Sequence, residues 1–275
     1  MAETAALKIC VVGASGRMGR MILAEVIRRS DLALVGGVVS HDSAHLDADL
    51  GELAGQGHLG LATQVSVEEA SRDADVVIDV STARVAPAVA RRLGETGAKA
   101  LVCGVTGLDE AGTEALASAA ETIPVLHARN FSLGVSVLEA LVEHAAGALK
   151  SDQYDLEIHE THHRFKADAP SGTAMMLGEA GARGRGDDLG EVARFDYARQ
   201  DARRPDGEIG FSVNRGGGIV GEHAVRFLGA LEEIELSHRA LDRFVFARGA
   251  VEAALWLSRQ APGRYSMRDV LGLKL

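Results

Sequence analysis

The side chains best suited to chemistry lie in one stretch, Glu157-Ile-His-Glu-Thr-His-His-Arg-Phe-Lys-Ala-Asp-Ala-Pro-Ser-Gly-Thr-Ala174. Imidazole titrates near neutrality, so a positioned histidine here, such as His162, can deliver a proton at cellular pH. Arg164 and Lys166 add fixed positive charge. Ser171, Gly172 and Thr173 bring hydroxyls and backbone N–H groups to a predicted helix start, a natural cradle for a carboxylate. A metal site is the rival reading of His159, His162 and His163. No supporting carboxylate ligand pattern accompanies them, and the adjacent cations oppose a dication. No metal is expected.

A second chemical signal sits near the N-terminus. The apolar run Leu7 to Val12 ends in Gly13-Ala14-Ser15-Gly16-Arg17-Met18-Gly19, a G-x-x-G-x-x-G turn between a strand and a helix. The first glycine makes the tight turn, the second admits a pyrophosphate to the backbone, and the third lets helix pack on strand. The helix start supplies partial positive charge to the anion. An NAD site usually places an acidic residue on the ribose 2′-OH about 20 residues later. Here Val39-Ser40-His41 stands at that point. Nothing there repels a 2′-phosphate, Ser40 can donate to it and Arg17 can reach it, so NADPH is expected to be tolerated or preferred over NADH. Two further strand ends, Gly104-Val105-Thr106-Gly107 and Ala128-Arg129-Asn130-Phe131, fall where a nicotinamide and its ribose should lie. Hydride from such a coenzyme and a proton from His162 suit reduction of an electron-poor C=C or C=N bond in a small carboxylated substrate.

The elements that must position these groups change rhythm partway along. Strands are expected at Leu7 to Val12, Leu32 to Val39, Ala74 to Val80, Ala98 to Cys103 and Ile123 to His127. Helices are expected at Arg17 to Arg29, Arg84 to Glu95 and Asp109 to Glu121. Continuous apolar strands separated by helices predict a doubly wound, Rossmann-like parallel sheet, an α/β architecture. From Phe131 to Leu149 the apolar spacing turns helical, and Tyr154 to Thr161 alternates as a half-buried strand. Ser171 to Gly181 reads as a helix and Ala182 to Gly207 as a polar excursion loop. Ile209 to Asn214, Ile219 to Phe227 and Leu231 to Ser237 read as antiparallel strands with one wet face. A last helix is expected over Asp242 to Arg259. The expected division is residues 1–130 with 241–275 as a dinucleotide-binding domain. Residues 131–240 form an α+β substrate-binding, catalytic and oligomerisation domain on a mixed or antiparallel sheet.

Composition narrows the class. The 275 residues carry 29 Lys+Arg against 39 Asp+Glu, a formal net charge of −10, with 47% apolar residues. That is enough for a large core and unsuited to a nucleic-acid partner, whose affinity would rest on basic surface. No apolar run approaches the ~20 residues of a membrane span. Met1 to Lys8 lacks a basic segment followed by an apolar block, so no secretory leader is expected. Cys10 and Cys103 read as buried hydrophobes, and the expected compartment is the cytoplasm.

Taken together, Glu160-Thr-His-His-Arg-Phe-Lys-Ala-Asp-Ala-Pro-Ser-Gly-Thr-Ala174 and the N-terminal Gly-Ala-Ser-Gly-Arg-Met-Gly19 closely resemble the 4-hydroxy-tetrahydrodipicolinate (dihydrodipicolinate) reductase family. The resemblance extends to Gly104-Val-Thr-Gly107, Ala128-Arg-Asn-Phe131, Ile219-Val-Gly-Glu-His223 and Met267-Arg-Asp-Val-Leu271. It implies NADH- or NADPH-dependent reduction of a cyclic, dicarboxylated imine with loss of water, in the diaminopimelate route to lysine. It implies His162 as proton donor and Lys166 as a second donor that attracts substrate. His163, Gly172 and Thr173 would hold substrate carboxylate, while Gly13 to Met18, Gly104 to Thr106 and Ala128 to Phe131 would line the coenzyme. A homotetramer built through the second domain's sheet is implied too. The sequence departs from the family pattern at Val39-Ser40, where an acidic residue is common, and at Val105, where a hydroxylated one is. His159 is read as an incidental strand residue. Two rivals remain: an amino-acid dehydrogenase of similar plan, and a coenzyme-sensing protein that has lost its chemistry.

Overall fold

The computed structural model describes residues 5–96, 99–196 and 203–273. The chain divides into two compact units, the first reaching Ser132 and resuming over Phe244–Gly272, the second spanning Leu133–Arg243. The first unit opens with β1 (Leu7–Val12), α1 (Arg17–Arg28), β2 (Leu32–Val38), α2 (Leu50–Leu53), α3 (Val67–Ala70) and β3 (Val76–Asp79). It continues with α4 (Ala86–Thr96), β4 (Ala100–Cys103), α5 (Glu110–Ala119) and β5 (Pro124–His127). The second unit holds α6 (Leu133–Ala148), β6 (Tyr154–His162), α7 (Gly172–Arg185), α8 (Leu189–Val192), β7 (Ala193–Arg194), β8 (Ile209–Arg215), β9 (Gly221–Gly229) and β10 (Glu233–Ala240). The chain then returns to the first unit as α9 (Phe244–Leu257), β11 (Gly263–Tyr265) and α10 (Met267–Val270).

In the first unit the strands form one sheet in the order β11-β5-β4-β3-β1-β2, every neighbouring pair parallel. Ile9, Cys10, Val11, Val76, Val77, Ile78, Leu101, Val102 and Cys103 are fully buried, as strands covered on both faces require. Each such aliphatic side chain contributes roughly 1.5–3 kcal/mol by leaving water. Because β1 has β2 on one side and β3 on the other, chain order reverses beside it, and the carboxyl ends open a crevice there. The glycine turn leaves β1 at that point. β11, absent from the sequence expectations, extends the far edge: Gly263 to Tyr265 pair with Pro124 to Leu126.

The polar connection after β2 is organised by one carboxylate. Asp49 caps α2 and accepts from Gly51, Glu52 and Leu59 N–H on Oδ1, and from Leu59, Gly60 and Leu61 on Oδ2, at 2.7–3.2 Å. Burial alone would push this carboxyl up, but the N–H groups of Leu59, Glu52, Leu61 and Gly60 outweigh it and hold it at about 2. A carboxyl depressed on folding stabilises the native state above its unfolded pKa, near 4, and loses that contribution as pH falls toward 2. The urea-midpoint gap between wild type and Asp49→Asn is therefore expected to be constant above pH ~4 and to shrink between ~4 and ~2. A gap independent of pH would refute this reading of the loop.

In the second unit the sheet runs β10-β9-β6-β8-β7. β9 pairs antiparallel with β10 and β6, but β8 lies parallel to β6 and to β7. The sheet is thus mixed, one of the two expected forms; β8 does not lie beside β9 as a meander would place it, because β6 stands between them and pairs parallel with β8. The reason is the crossover: α7 carries the chain back between β6 and β8, as a parallel pair demands. The expected loop over Ala182 to Gly207 also gives way, since α7 runs on to Arg185 and α8 and β7 follow; residues 197–202 of that loop lie outside the described residues. One sheet face packs Leu156, Ile158, Ile209, Phe211, Val225 and Phe227 into a core with side chains of α6 and α7.

Candidate functional site

In the first unit, Gly13 adopts φ +83, and a Cβ there would lie 2.8 Å from the Val80 carbonyl oxygen. That conformation and that approach both require glycine. Gly13 and Ala14 N–H bond the Val38 carbonyl at 2.9 and 3.0 Å, which closes the turn over the end of β2. At Gly19 a Cβ would sit 2.2 Å from the Gly13 oxygen, so α1 is packed directly on its own turn. α1 begins at Gly16 without a side-chain cap and without an acidic residue in its first turn. A helix start left open in this way is the electrostatic complement of a pyrophosphate. Gly16 and Arg17 are exposed, Met18 half-buried.

The other predicted coenzyme residues surround the neighbouring strand ends. Gly104 N–H bonds the Asp79 carbonyl and Ala128 N–H the Cys103 carbonyl, at 2.8 and 3.0 Å. A Cβ on Gly104 would lie 2.4 Å from the Phe131 ring, which explains the glycine. Val105, Ala128 and Phe131 are buried, while Thr106 and Arg129 are exposed. Asn130 Oδ1 accepts from Ser132 N–H at 2.8 Å, turning the chain. Ser40 is exposed, and its hydroxyl, with His41 and Arg84 nearby, holds the exposed Asp42 carboxyl below the usual range. The sequence reading missed Asp79, which is fully buried at the end of β3 and accepts the Ser81 N–H at 2.9 Å. Burial pushes its carboxyl up.

In the second unit β6 alternates its faces. Leu156, Ile158, Glu160 and His162 point inward and are buried, while His159 is exposed and meets Asn214 at 3.2 Å. His162, at the strand end, is 8% exposed, and its Nδ1 lies 2.5 Å from Glu160 Oε2. His163 follows, its Nε2 accepting from Arg243 Nη2 at 2.9 Å. Lys166 Nζ donates to both oxygens of Asp168 at 2.8 Å. Burial would raise the Asp168 carboxyl, but Lys166, with lesser help from nearby backbone N–H groups, holds it low. Ser171 caps α7 by accepting Ala174 N–H at 3.2 Å, and its Oγ shares a hydrogen bond of 3.2 Å with His223 Nε2. Gly172 is exposed and Thr173 half-buried at the first turn of α7.

The structure thus gathers His162, His163, Lys166, Gly172 and Thr173 around one loop and one helix start. It also brings in Glu160, Asp168, Arg215, His223 and Arg243, none of them predicted. Glu160 had a signal: it occupies a buried-face position in an alternating strand, where a carboxylate must have a partner. Arg215, His223 and Arg243 come from β8, β9 and the end of the unit; His223 closes a segment noted for its resemblance, but no local pattern announces a role for any of the three.

Two family models cover the chain: one described as dihydrodipicolinate reductase, N-terminus, over residues 7–131, and one as dihydrodipicolinate reductase, C-terminus, over residues 134–271. A 4-hydroxy-tetrahydrodipicolinate reductase from Alkalilimnicola ehrlichii is 47% identical over 266 residues, covering 97% of this chain and 99% of that one. One from Chromohalobacter salexigens is 44% identical over 267 residues, with coverages of 97% and 99%. Among solved structures, a dipicolinate-bound dihydrodipicolinate reductase from Paenisporosarcina sp. TG-14 has a TM-score of 0.75 at 20% identity, covering 95% of this chain and 97% of that one. An amine dehydrogenase from Mycobacterium smegmatis has a TM-score of 0.60 at 14% identity, with coverages of 97% and 96%, so this fold also serves other oxidoreductases.

Proposed function

The chain belongs to the dihydrodipicolinate reductase family, and from that premise we propose that it reduces 4-hydroxy-tetrahydrodipicolinate with loss of water, His162 giving the proton and Lys166 assisting. The family membership makes it an oxidoreductase of the diaminopimelate route to lysine that draws on NADH or NADPH. When bound, the coenzyme supplies a hydride. The first unit would hold it, through the turn Gly13 to Met18, the Gly104 to Thr106 segment and the Ala128 to Phe131 segment. The uncapped start of α1 fits its pyrophosphate.

The second unit would bind and protonate the substrate. The observation that carries this reading is Asp168. An internal carboxylate already rests with both oxygens on Lys166 Nζ, the cation assigned to attracting the substrate. Lys166 therefore holds a carboxylate with charge-assisted geometry. His163 and Thr173 would complete the cradle, with Arg243 steadying the His163 ring. His162 would deliver its proton to the carbon or nitrogen made basic by reduction.

The decisive assay follows oxidation of the reduced coenzyme with freshly generated cyclic imine. Turnover with this substrate and none with 2-oxo acids plus ammonia supports the proposal; the opposite pattern selects an amino-acid dehydrogenase. Coenzyme binding without any turnover would select the sensing role. We propose further that both coenzymes serve, because Ser40 stands where an NAD site usually places its acidic residue and the carboxylate its hydroxyl meets is that of the exposed Asp42, two residues on. KM for NADPH is expected to equal or undercut that for NADH; a preference for NADH above ~10-fold, about 1.4 kcal/mol, would count against it. The homotetramer is proposed on the open outer face of the second sheet, lined by ion pairs such as Arg226–Glu235 and Arg239–Glu222. A monomeric mass in solution would remove it. The cytoplasm is the proposed compartment; among the described residues no helix is long and apolar enough to cross a membrane.

A further inference from the structure

Glu160 is 1% exposed, on a strand face otherwise apolar until His162. Both its oxygens are saturated. Oε2 receives His162 Nδ1 at 2.5 Å and Arg215 Nη1 at 2.8 Å; Oε1 receives the Ser171 N–H and Arg215 Nη2, each at 2.9 Å. Arg215 also donates to the Asp168 carbonyl at 2.6 Å. One buried carboxylate therefore ties together the end of β6, the end of β8 and the first residue before α7. A buried charge is costly unless fully paired, and an apolar residue would serve the core equally well.

We infer that Glu160, clamped by Arg215, is a positioning residue: it keeps Nδ1 of His162 protonated, presents Nε2 as the proton-delivering atom, and holds that atom in register with the carboxylate-binding start of α7. The inference rests on the proposed acid role of His162. Gly221 on β9 leaves the Nε2 edge unfilled, since a Cβ there would stand 3.0 Å from Nε2. Burial would raise the Glu160 carboxyl, but His162, Arg215 and the Ser171 N–H hold it at about 2, so it stays ionised throughout the working range. The neighbouring His223 ring lies 5.1 Å away, edge-on. Burial and the charge of His162 push His223 down to about 3, so it remains neutral and does not compete for the proton. Of the other charged groups at this end of the sheet, Lys166 is paired with Asp168.

The test compares Glu160→Gln, Glu160→Asp and His162→Ala. Glutamine retains an acceptor for Ser171 N–H, but its NH2 faces Nδ1 and turns the imidazole into the wrong tautomer. Glu160→Gln is expected to lower kcat by about 100-fold or more while substrate KM stays within about threefold. Glu160→Asp, which restores the charge at a shorter reach, recovers part of kcat. If Glu160→Gln turns over like wild type while His162→Ala is inactive, the positioning role is wrong and the acid role stands. If His162→Ala keeps full turnover, both fall. Should Glu160→Gln not fold, 15N spectra of histidine-labelled wild type decide the matter. A protonated, strongly hydrogen-bonded Nδ1 on His162 supports the inference, and a bare Nδ1 overturns it.

Discussion

Replacing His162 by alanine is expected to lower turnover by about 10²–10⁴-fold, the usual contribution of a positioned general acid, with coenzyme affinity unchanged. His162 ends the buried face of β6, its Nδ1 is committed to Glu160, and one ring nitrogen remains for the substrate. The truncation also leaves Glu160 short of one partner, though two Arg215 bonds and the Ser171 N–H remain, so the fold survives at some cost. Lys166→Ala should behave differently. Its ammonium is assigned to charge-assisted binding, a contact of about 1.5–3 kcal/mol, so substrate KM should rise roughly 10- to 100-fold. Steady-state kinetics of the two variants with the cyclic imine, beside coenzyme titrations, separates these roles. Unchanged kcat in His162→Ala would remove it from the mechanism.

The largest expected loss of stability comes from a single methyl group. Gly249 lies buried in α9, and a Cβ there would stand 1.8 Å from the Phe131 carbonyl oxygen. The obstacle is backbone, so no rotamer change relieves it. Overpacking of this kind typically costs 1–3 kcal/mol, and Gly249→Ala is placed at about 3. At roughly 2–4 °C per kcal/mol for a chain of this size, the melting temperature should fall by about 6–12 °C. Because Phe131 belongs to the proposed coenzyme segment, coenzyme affinity should weaken with it. Gly218→Ala is the control: nothing lies within 4 Å of the new methyl, and its effect should stay within about 0.5 kcal/mol. Equal melting temperatures for the two variants would show that α9 shifts freely, against the packing described.

Local patterns made the first unit readable. Its strands are continuous apolar runs, and a glycine at the end of β1 followed by a helix has few physical explanations. The helical reading of α7 stopped at Gly181, although Gly178, Gly181 and Gly184, breakers in one dimension, all lie within the helix. In three dimensions they are contact points. Cβ atoms there would lie 2.5 Å from the Phe211 ring, 3.1 Å from Leu156 and 2.2 Å from the Glu143 carbonyl. Those glycines let α7 lie close on the sheet and on α6, a demand set by partners distant in sequence. The parallel setting of β8 escaped for the same reason, since strand direction depends on the crossover and not on composition. In the second unit, His162, Lys166 and the start of α7 were legible because they share one short segment. Arg215, 55 residues from Glu160, was not. The charge that completes a buried pair is invisible until the sheet brings it home.

The return of α9 and β11 to the first sheet has a consequence for how the polypeptide is born. At the ribosome, β1 to β5 emerge early, yet α9, which packs on α1, β3, β4 and β5, and the edge strand β11 arrive last. The N-terminal sheet must therefore wait, one edge unprotected, while the whole of the second unit is synthesised and free to fold. Premature termination after that unit would release a nascent protein whose proposed substrate-binding unit is formed and whose parallel sheet is not.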